Sequence, residues 1–338
     1  MSPHEILIAI MAAFAVLGAL DRIFGNRVGL GPEFENGILS LGSLALSMVG
    51  IISLAPVLAG LLRPVVVPVY RVLGADPAMF AGTILANDMG GAPLAKELAG
   101  SPEAAKLGGL LVGAMLGATV VFTIPVGVLV GGLVAGFPIL MVLRNLIPIV
   151  LIALLIALGL WKWEGGMIRG FAVFGKIIVA IITIGLAAAL VESLTGLVLI
   201  PGMAPISEGL SIVGDIALVL AGAFPLVWAI TKVFRKPLMK LGSLLGMNDT
   251  AAAGLIASLA NSIAMFGMVK DMDQRGKVIN VAFAVSAAFV FGDHLGFTAG
   301  FDPEMLVPVI LGKLAGGVTA IFVAMAITGG KHHDKSRA

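Results

Sequence analysis

Apolar runs of about 20 residues, long enough to cross a bilayer as helices, recur along the chain between short polar or Gly- and Pro-containing segments. They fall near 4–24, 38–62, 75–95, 105–133, 138–161, 168–192, 209–232, 247–269, 277–300 and 304–328, which predicts ten transmembrane helices. Two runs are weakened by polar residues: Asp88, Gly90, Gly91 and Pro93 interrupt the third, and Asn261 interrupts the eighth. The first run, Ile6 to Leu20, has no basic segment ahead of it and is followed by Asp21-Arg22 without a small-residue cleavage pattern. It reads as a span rather than a signal peptide. The polar tail 331–338 reads as disordered, with His332-His333 solvated rather than metal-binding.

The two halves of this pattern match each other. Leu85-Ala86-Asn87 recurs as Leu259-Ala260-Asn261, and nine residues after each Asn a Lys precedes an acid, Lys96-Glu97 and Lys270-Asp271. At nearly the same offset Gly42, Ala45, Leu46 and Gly50 find Gly214, Ala217, Leu218 and Gly222, and Leu73-Gly74 finds Leu245-Gly246. Each pair alone is chance in so Ala-, Gly- and Leu-rich a chain; an ordered series reads as a duplicated unit. The units are 1–165 and 166–330, with five spans each. An odd number of crossings inverts the second unit relative to the first, as in many alternating-access transporters. The expected fold class is therefore all-α: a polytopic membrane protein of about ten helices in a 5+5 inverted-topology repeat with broken helices. Orientation is not legible, because loop Lys and Arg divide nine to ten between the two sides and the positive-inside rule needs an asymmetry.

Composition agrees. The chain is 59% hydrophobic and 12% charged, with mean hydropathy +1.11, where a soluble domain carries roughly 25% charge. Its 45 glycines suit close helix packing in lipid. The absence of Cys excludes a disulfide scaffold and thiolate metal sites. A net charge of +2 with no basic stripe argues against a nucleic-acid partner.

Ionisable residues inside such spans mark candidate function. Asp88 lies in Leu85-Ala-Asn-Asp-Met-Gly-Gly-Ala-Pro93, where Gly90, Gly91 and Pro93 are poor company for a continuous helix. A broken helix there would turn freed carbonyls, Asn87 and Asp88 toward a cavity; a plainer reading has Asn87-Asp88 cap a helix at the membrane surface. Asp293-His294 lies mid-span in Phe291-Gly-Asp-His-Leu-Gly296, whose repeat mate is Thr123-Ile-Pro125-Val-Gly127. The ninth span is thus expected to break at Gly292 and the fourth at Pro125, and paired interruptions point to a transporter's binding site. Asp293 would balance a cation and His294 carry a proton or donate a hydrogen bond, unless the pair only locks the break. Asn261 and Ser262 offer uncharged hydrogen bonds, and Phe266 and Phe291 offer ring faces for an ammonium, although simple packing is the plainer role for each Phe. Lys96-Glu97 and Lys270-Asp271 are expected as salt-bridged loop anchors, Asp215 as a helix cap, and Lys313 as a lysine that snorkels or pairs with an acid.

No motif calls for ATP, a metal or another cofactor: there is no Walker loop, HExxH, GxSxG or CxxC. A membrane-embedded enzyme using Asp293-His294 as base is the alternative class. A sensor or scaffold is weaker, because no soluble domain exists to receive a signal.

Several motifs carry a family resemblance over nearly the whole chain. Gly74-Ala-Asp-Pro-Ala-Met-Phe-Ala-Gly82, Asp88-Met-Gly-Gly91, Leu94-Ala-Lys-Glu-Leu-Ala-Gly100, Gly292-Asp-His-Leu-Gly-Phe297 and Gly312-Lys-Leu-Ala-Gly-Gly-Val-Thr-Ala-Ile321 resemble the ethanolamine permease family of ethanolamine-utilisation operons. The resemblance implies a multi-pass carrier in the bacterial inner membrane that imports ethanolamine for a cytoplasmic lyase pathway. Its partners would be that small molecule and the lipid bilayer; oligomeric state, a homo-oligomer included, stays open. The chain departs from the family in shorter loops after Gly132 and Ile206, and in carrying Asn87 and Ala92-Pro93 where the family has a Cys and bulkier apolar residues. Another amino alcohol, or a keto-sugar acid, is the alternative cargo. Ethanolamine is a small ammonium with one hydroxyl, needing a carboxylate or ring face for the first and an amide or hydroxyl for the second. Asp88 and Asp293 answer the former, and Asn87, Asn261 and His294 the latter.

Overall fold

A computed structural model describes residues 1–115, 123–260 and 262–329. Asn261, the segment 116–122 and the tail 330–338 lie outside the described residues, together with what the sequence predicts for them. The described chain is helical, with no strand. Its helices are α1 (Pro3–Ile23), α2 (Leu30–Val72), α3 (Ala78–Ile84), α4 (Gly91–Leu98), α5 (Pro102–Lys106), α6 (Thr123–Val134), α7 (Ile139–Thr195), α8 (Ile206–Leu244), α9 (Asp249–Ala260), α10 (Ser262–Met268), α11 (Gln274–Ala287), α12 (Asp293–Phe301) and α13 (Leu306–Gly329).

Local chemistry sets many of these boundaries. Ser2 and Glu5 form a capping box at α1, with Pro3 in its first turn, where the missing N–H is not needed. The buried carboxylate of Asp21 accepts the backbone N–H groups of Val28, Gly29, Leu30 and Gly31 at 2.8–3.0 Å. One side chain thereby satisfies the open end of α2 and places negative charge at its positive dipole end. Asp273 caps α11 through the Gly276 N–H at 3.2 Å and also accepts from the Asn248 N–H at 2.9 Å. At the other end of the chemistry, Lys106 ties α5 to the α12–α13 connection by ion pairs to Asp302 at 2.9 Å and Glu304 at 3.1 Å.

Among the described residues, five helices are long and apolar enough to cross a membrane: Pro3–Ile23, Leu30–Val72, Ile139–Thr195, Ile206–Val233 and Pro303–Ile327. One of these, α7, is two limbs joined at Trp163, whose φ of −149° and ψ of 53° leave the helical region. The runs 75–95 and 277–300 instead appear as shorter pieces, while 105–133 and 247–269 are described only on either side of 116–122 and of Asn261. An eight-residue piece such as α4 spans only about 12 Å at about 1.5 Å per residue, far less than the hydrocarbon thickness. The pieces pack inside the long helices. α2 lies along α8 and the second limb of α7, while α13 lies along α6 and α11.

The largest core gathers Met48, Val49, Met79, Leu107, Leu111, Met115, Ile216 and Phe297. Large apolar side chains such as Leu39, Leu61, Leu155, Trp161 and Phe322 point outward. An apolar exterior around a packed interior is what a lipid solvent requires. Two minor expectations fail. Asp215 is an exposed residue within α8 rather than a cap, because α8 starts earlier, at Ile206. Lys96, Glu97, Lys270 and Asp271 form no ion pair among the described residues; the Glu97 and Asp271 carbonyls instead accept from Arg63 and Asn248.

Candidate functional site

The breaks in the short helices bring backbone and polar groups to one place. α3 ends at Ile84, and the chain makes a single 3-10 turn, Asn87–Met89, before Gly90 at φ 96° starts α4. That φ suits a residue without Cβ, and the turn leaves Asn87 and Asp88 outside regular α-helix. After α5, a π-helical turn at Leu107–Val112 runs into Gly113 and Ala114; such turns leave carbonyls free for other partners. α11 ends at Ala287, and the segment 288–292 crosses to α9, where Phe289 N–H donates to the Ser258 carbonyl at 3.0 Å and Phe291 N–H to the Leu259 carbonyl at 2.9 Å. α12 then begins at Asp293.

The crossings are close. A Cβ on Gly292 would overlap the Ala260 carbonyl oxygen, and one on Gly113 would press on the Asn87 backbone nitrogen at 3.0 Å. Glycine is what lets each broken pair cross backbone to backbone. Both crossings fall at the Leu-Ala-Asn motifs of the sequence repeat. Pro125 lies in α6 at the third residue after the segment 116–122, which is outside the described residues together with the expected interruption of the fourth run.

Two side chains, Lys313 and His294, meet at the Ala114 carbonyl, with Asp88 and Phe289 against the imidazole. Lys313 of α13, 1% exposed, donates to that carbonyl and approaches His294 Nδ1 at 3.0 Å. His294 Nδ1 lies 3.1 Å from the same carbonyl, its Nε2 lies 3.8 Å from Asp88 Oδ1, and its ring stacks on Phe289 at 5.3 Å. The Asp88 carboxylate feels the charges of both Asp293 and Lys313. An ammonium only donates, so beside Lys313 a neutral His294 accepts at Nδ1 and carries its proton on Nε2, toward Asp88. The imidazole thus links a resident cation to a carboxylate. The Thr298 hydroxyl, bonded to the His294 carbonyl at 2.7 Å, steadies the first turn of α12.

Two buried polar atoms at this point have no hydrogen-bond partner among the described residues: Asn87 Nδ2, a donor, and Asp88 Oδ1, an acceptor. Asn87 is 0% exposed, and its Oδ1 is already used by the Asp88 N–H at 2.9 Å. Leaving such groups unmade typically costs about 1–3 kcal/mol each. Asp293 has no cation within ion-pair distance among the described residues; it begins α12, where the helix dipole favours a negative charge.

The sequence-derived candidates distribute unevenly. Asn87, Asp88, Asp293 and His294 come together. Ser262 opens α10 directly after Asn261, which lies outside the described residues. Phe266, on α10, is 55% exposed. Phe291 contributes a backbone bond to α9, while the ring that stacks at the site is Phe289, held at φ 60°. Lys313 does not snorkel: it is buried against a carbonyl and a histidine. Its position inside an apolar run was the available signal; the Ala114 carbonyl, a backbone atom, offered none. Among the described residues no cluster of His, Cys, Asp and Glu is arranged to hold a metal ion.

Comparison with known proteins bears on this arrangement. The family model for "Ethanolamine utilisation protein, EutH" matches residues 4–128 and 122–327. The chain is 59% identical over 351 positions to a probable ethanolamine permease EutH of Listeria monocytogenes, covering 96% of this chain and 94% of the relative. It is 46% identical over 391 positions to the protein of that name in Escherichia coli, covering 97% and 96%. Bacillus subtilis YxeR, which carries no functional name, is 49% identical over 354 positions, covering 97% and 96%. No solved structure matches. By both family model and full-length identity the chain belongs to the EutH family of ethanolamine utilisation proteins.

Proposed function

We propose that this protein is a secondary transporter that carries ethanolamine, as its protonated cation, across the bacterial inner membrane by alternating access between two inverted five-helix repeats. The observation that carries the cargo assignment is the pair of unpartnered buried atoms, Asp88 Oδ1 and Asn87 Nδ2. Ethanolammonium has the opposite pair: N–H donors at one end and a hydroxyl oxygen, able to accept, at the other. Asp293, without a cation of its own among the described residues, adds a second carboxylate for the ammonium. Burying an ammonium without counter-charge costs several kcal/mol or more, so two nearby carboxylates favour a cation. A keto-sugar acid would set its carboxylate against both. The relatives named as ethanolamine permeases support the same cargo.

The repeat reading draws on the order of elements. Two long helices, a set of shorter helices and a further long helix occur as α1, α2, α3–α4, α5–α6 and the first limb of α7. The same order follows as the second limb of α7, α8, α9–α10, α11–α12 and α13. The kink at Trp163 falls near the boundary between units 1–165 and 166–330, and in each unit a glycine crosses the Leu-Ala-Asn motif. Uptake of radiolabelled ethanolamine into proteoliposomes holding the purified chain tests the function. Saturable uptake that unlabelled amino alcohols compete away, and glycolate does not, is the expected result. Competition by the carboxylate but not by propanolamine would reverse the cargo assignment.

A further inference from the structure

A lysine only 1% exposed and one imidazole away from Asp88 is unusual in a carrier for a cation, since it brings into the site the charge that the cargo also brings. Resting on the reading that the site receives a substrate ammonium, we propose that Lys313 is the resident counter-cation of the empty site: acting through His294, it neutralises Asp88 while no substrate is bound and so lets the unloaded carrier change conformation.

Three observations carry this. First, Lys313 is fixed rather than mobile. It donates to the Ala114 carbonyl and lies 3.0 Å from His294 Nδ1, and the neighbouring Gly312 packs against the Gly127 carbonyl of α6 so closely that a Cβ would meet it at 2.6 Å. Its ammonium therefore sits on the far side of His294 from Asp88 and leaves Asp88 Oδ1 without a hydrogen-bond partner among the described residues. Second, the imidazole stands between the two charges: Nδ1 accepts from the ammonium, which polarises the ring, and its Nε2 faces Asp88 Oδ1 at 3.8 Å. That distance is an electrostatic contact rather than a made hydrogen bond, so an incoming ammonium can take the oxygen without first breaking one. Third, the two carboxylates have different neighbours: Asp88 faces the imidazole that Lys313 contacts, whereas Asp293 has only the start of α12. Without Lys313, an empty site would hold Asp88 buried and uncompensated, and an unpaired buried charge is strongly unfavourable. A loaded site would still have the substrate's cation. Lys313 is thus a positioning residue for the return of the empty carrier, and its loss should separate two activities that a merely structural lysine would lose together.

The test uses the full chain in proteoliposomes. In Lys313→Gln, net uptake into substrate-free vesicles, which needs the empty carrier to return, should fall about tenfold or more, whereas exchange of labelled against internal unlabelled ethanolamine should stay within about twofold. The melting temperature of Lys313→Gln should fall, and Asp88→Asn in the same chain should restore most of it, since the uncompensated charge is then gone. Net uptake and exchange falling in parallel, with Asp88→Asn adding to the loss of stability, would overturn the proposal. If the wild-type chain does not exchange ethanolamine at all, the cargo assignment fails, and the paired melting measurements still decide the role of Lys313.

Discussion

At the first carboxylate-bearing break, Asp88 sits in a single 3-10 turn with Asn87 beside it, His294 facing it at 3.8 Å and the charge of Lys313 behind the imidazole. At the second, Asp293 opens a nine-residue helix and has no cation within ion-pair distance among the described residues. The same residue type at two interrupted helices is thus placed in two electrostatic settings, one already furnished with positive charge and one furnished only with a helix terminus. The difference teaches how the labour divides. Asp293 has the stronger call on a substrate cation, because nothing resident replaces it. Asp88, already compensated, contributes an oriented oxygen and the neighbouring amide of Asn87.

Substitutions should rank accordingly. Asp293→Asn should produce the largest change, reducing saturable ethanolamine uptake more than about 100-fold, while the chain still reaches the membrane at wild-type level by immunoblot; the amide nearly matches the carboxylate in shape, so folding is preserved. Normal uptake by that variant would remove the distinction between the two breaks. His294→Gln should lower net uptake by about tenfold, because the amide is not polarised by Lys313 toward Asp88 as the ring is, and parallel exchange measurements show whether binding survives. Asn87→Ala should weaken apparent affinity for ethanolamine by about five- to tenfold while affecting ethylamine, which lacks the hydroxyl, much less. Equal losses for the two amines would detach Asn87 from the hydroxyl. Phe266→Ala should change uptake by less than about twofold, as expected of an exposed side chain.

The sequence made the carboxylates and His294 legible because charge inside an apolar run stands out without any knowledge of the fold. The long helices were legible for a similar reason: their apolar lengths match a bilayer. The broken runs were harder. Gly90, Gly91 and Pro93 announce an interruption, but where α3 and α4 end is decided by the passage of Gly113 and of the π-helical turn beside them, which is tertiary. Lys313 was visible as a lysine in a span, yet snorkelling and burial look identical until the packing of α13 on α6 is known. Phe289, whose ring stacks on His294, was not legible because side-chain direction in the irregular segment 288–292 follows no period. The Ala114 carbonyl could not be read from a sequence, since every residue has one.

The division of labour between the two breaks is tested most directly by equilibrium binding of radiolabelled ethanolamine to purified wild-type, Asp293→Asn and Asp88→Asn chains, with folding of each checked by thermal melting. Saturable binding should be lost in Asp293→Asn and should persist in Asp88→Asn with affinity weakened about tenfold. Wild-type affinity in Asp293→Asn, or complete loss confined to Asp88→Asn, would contradict it.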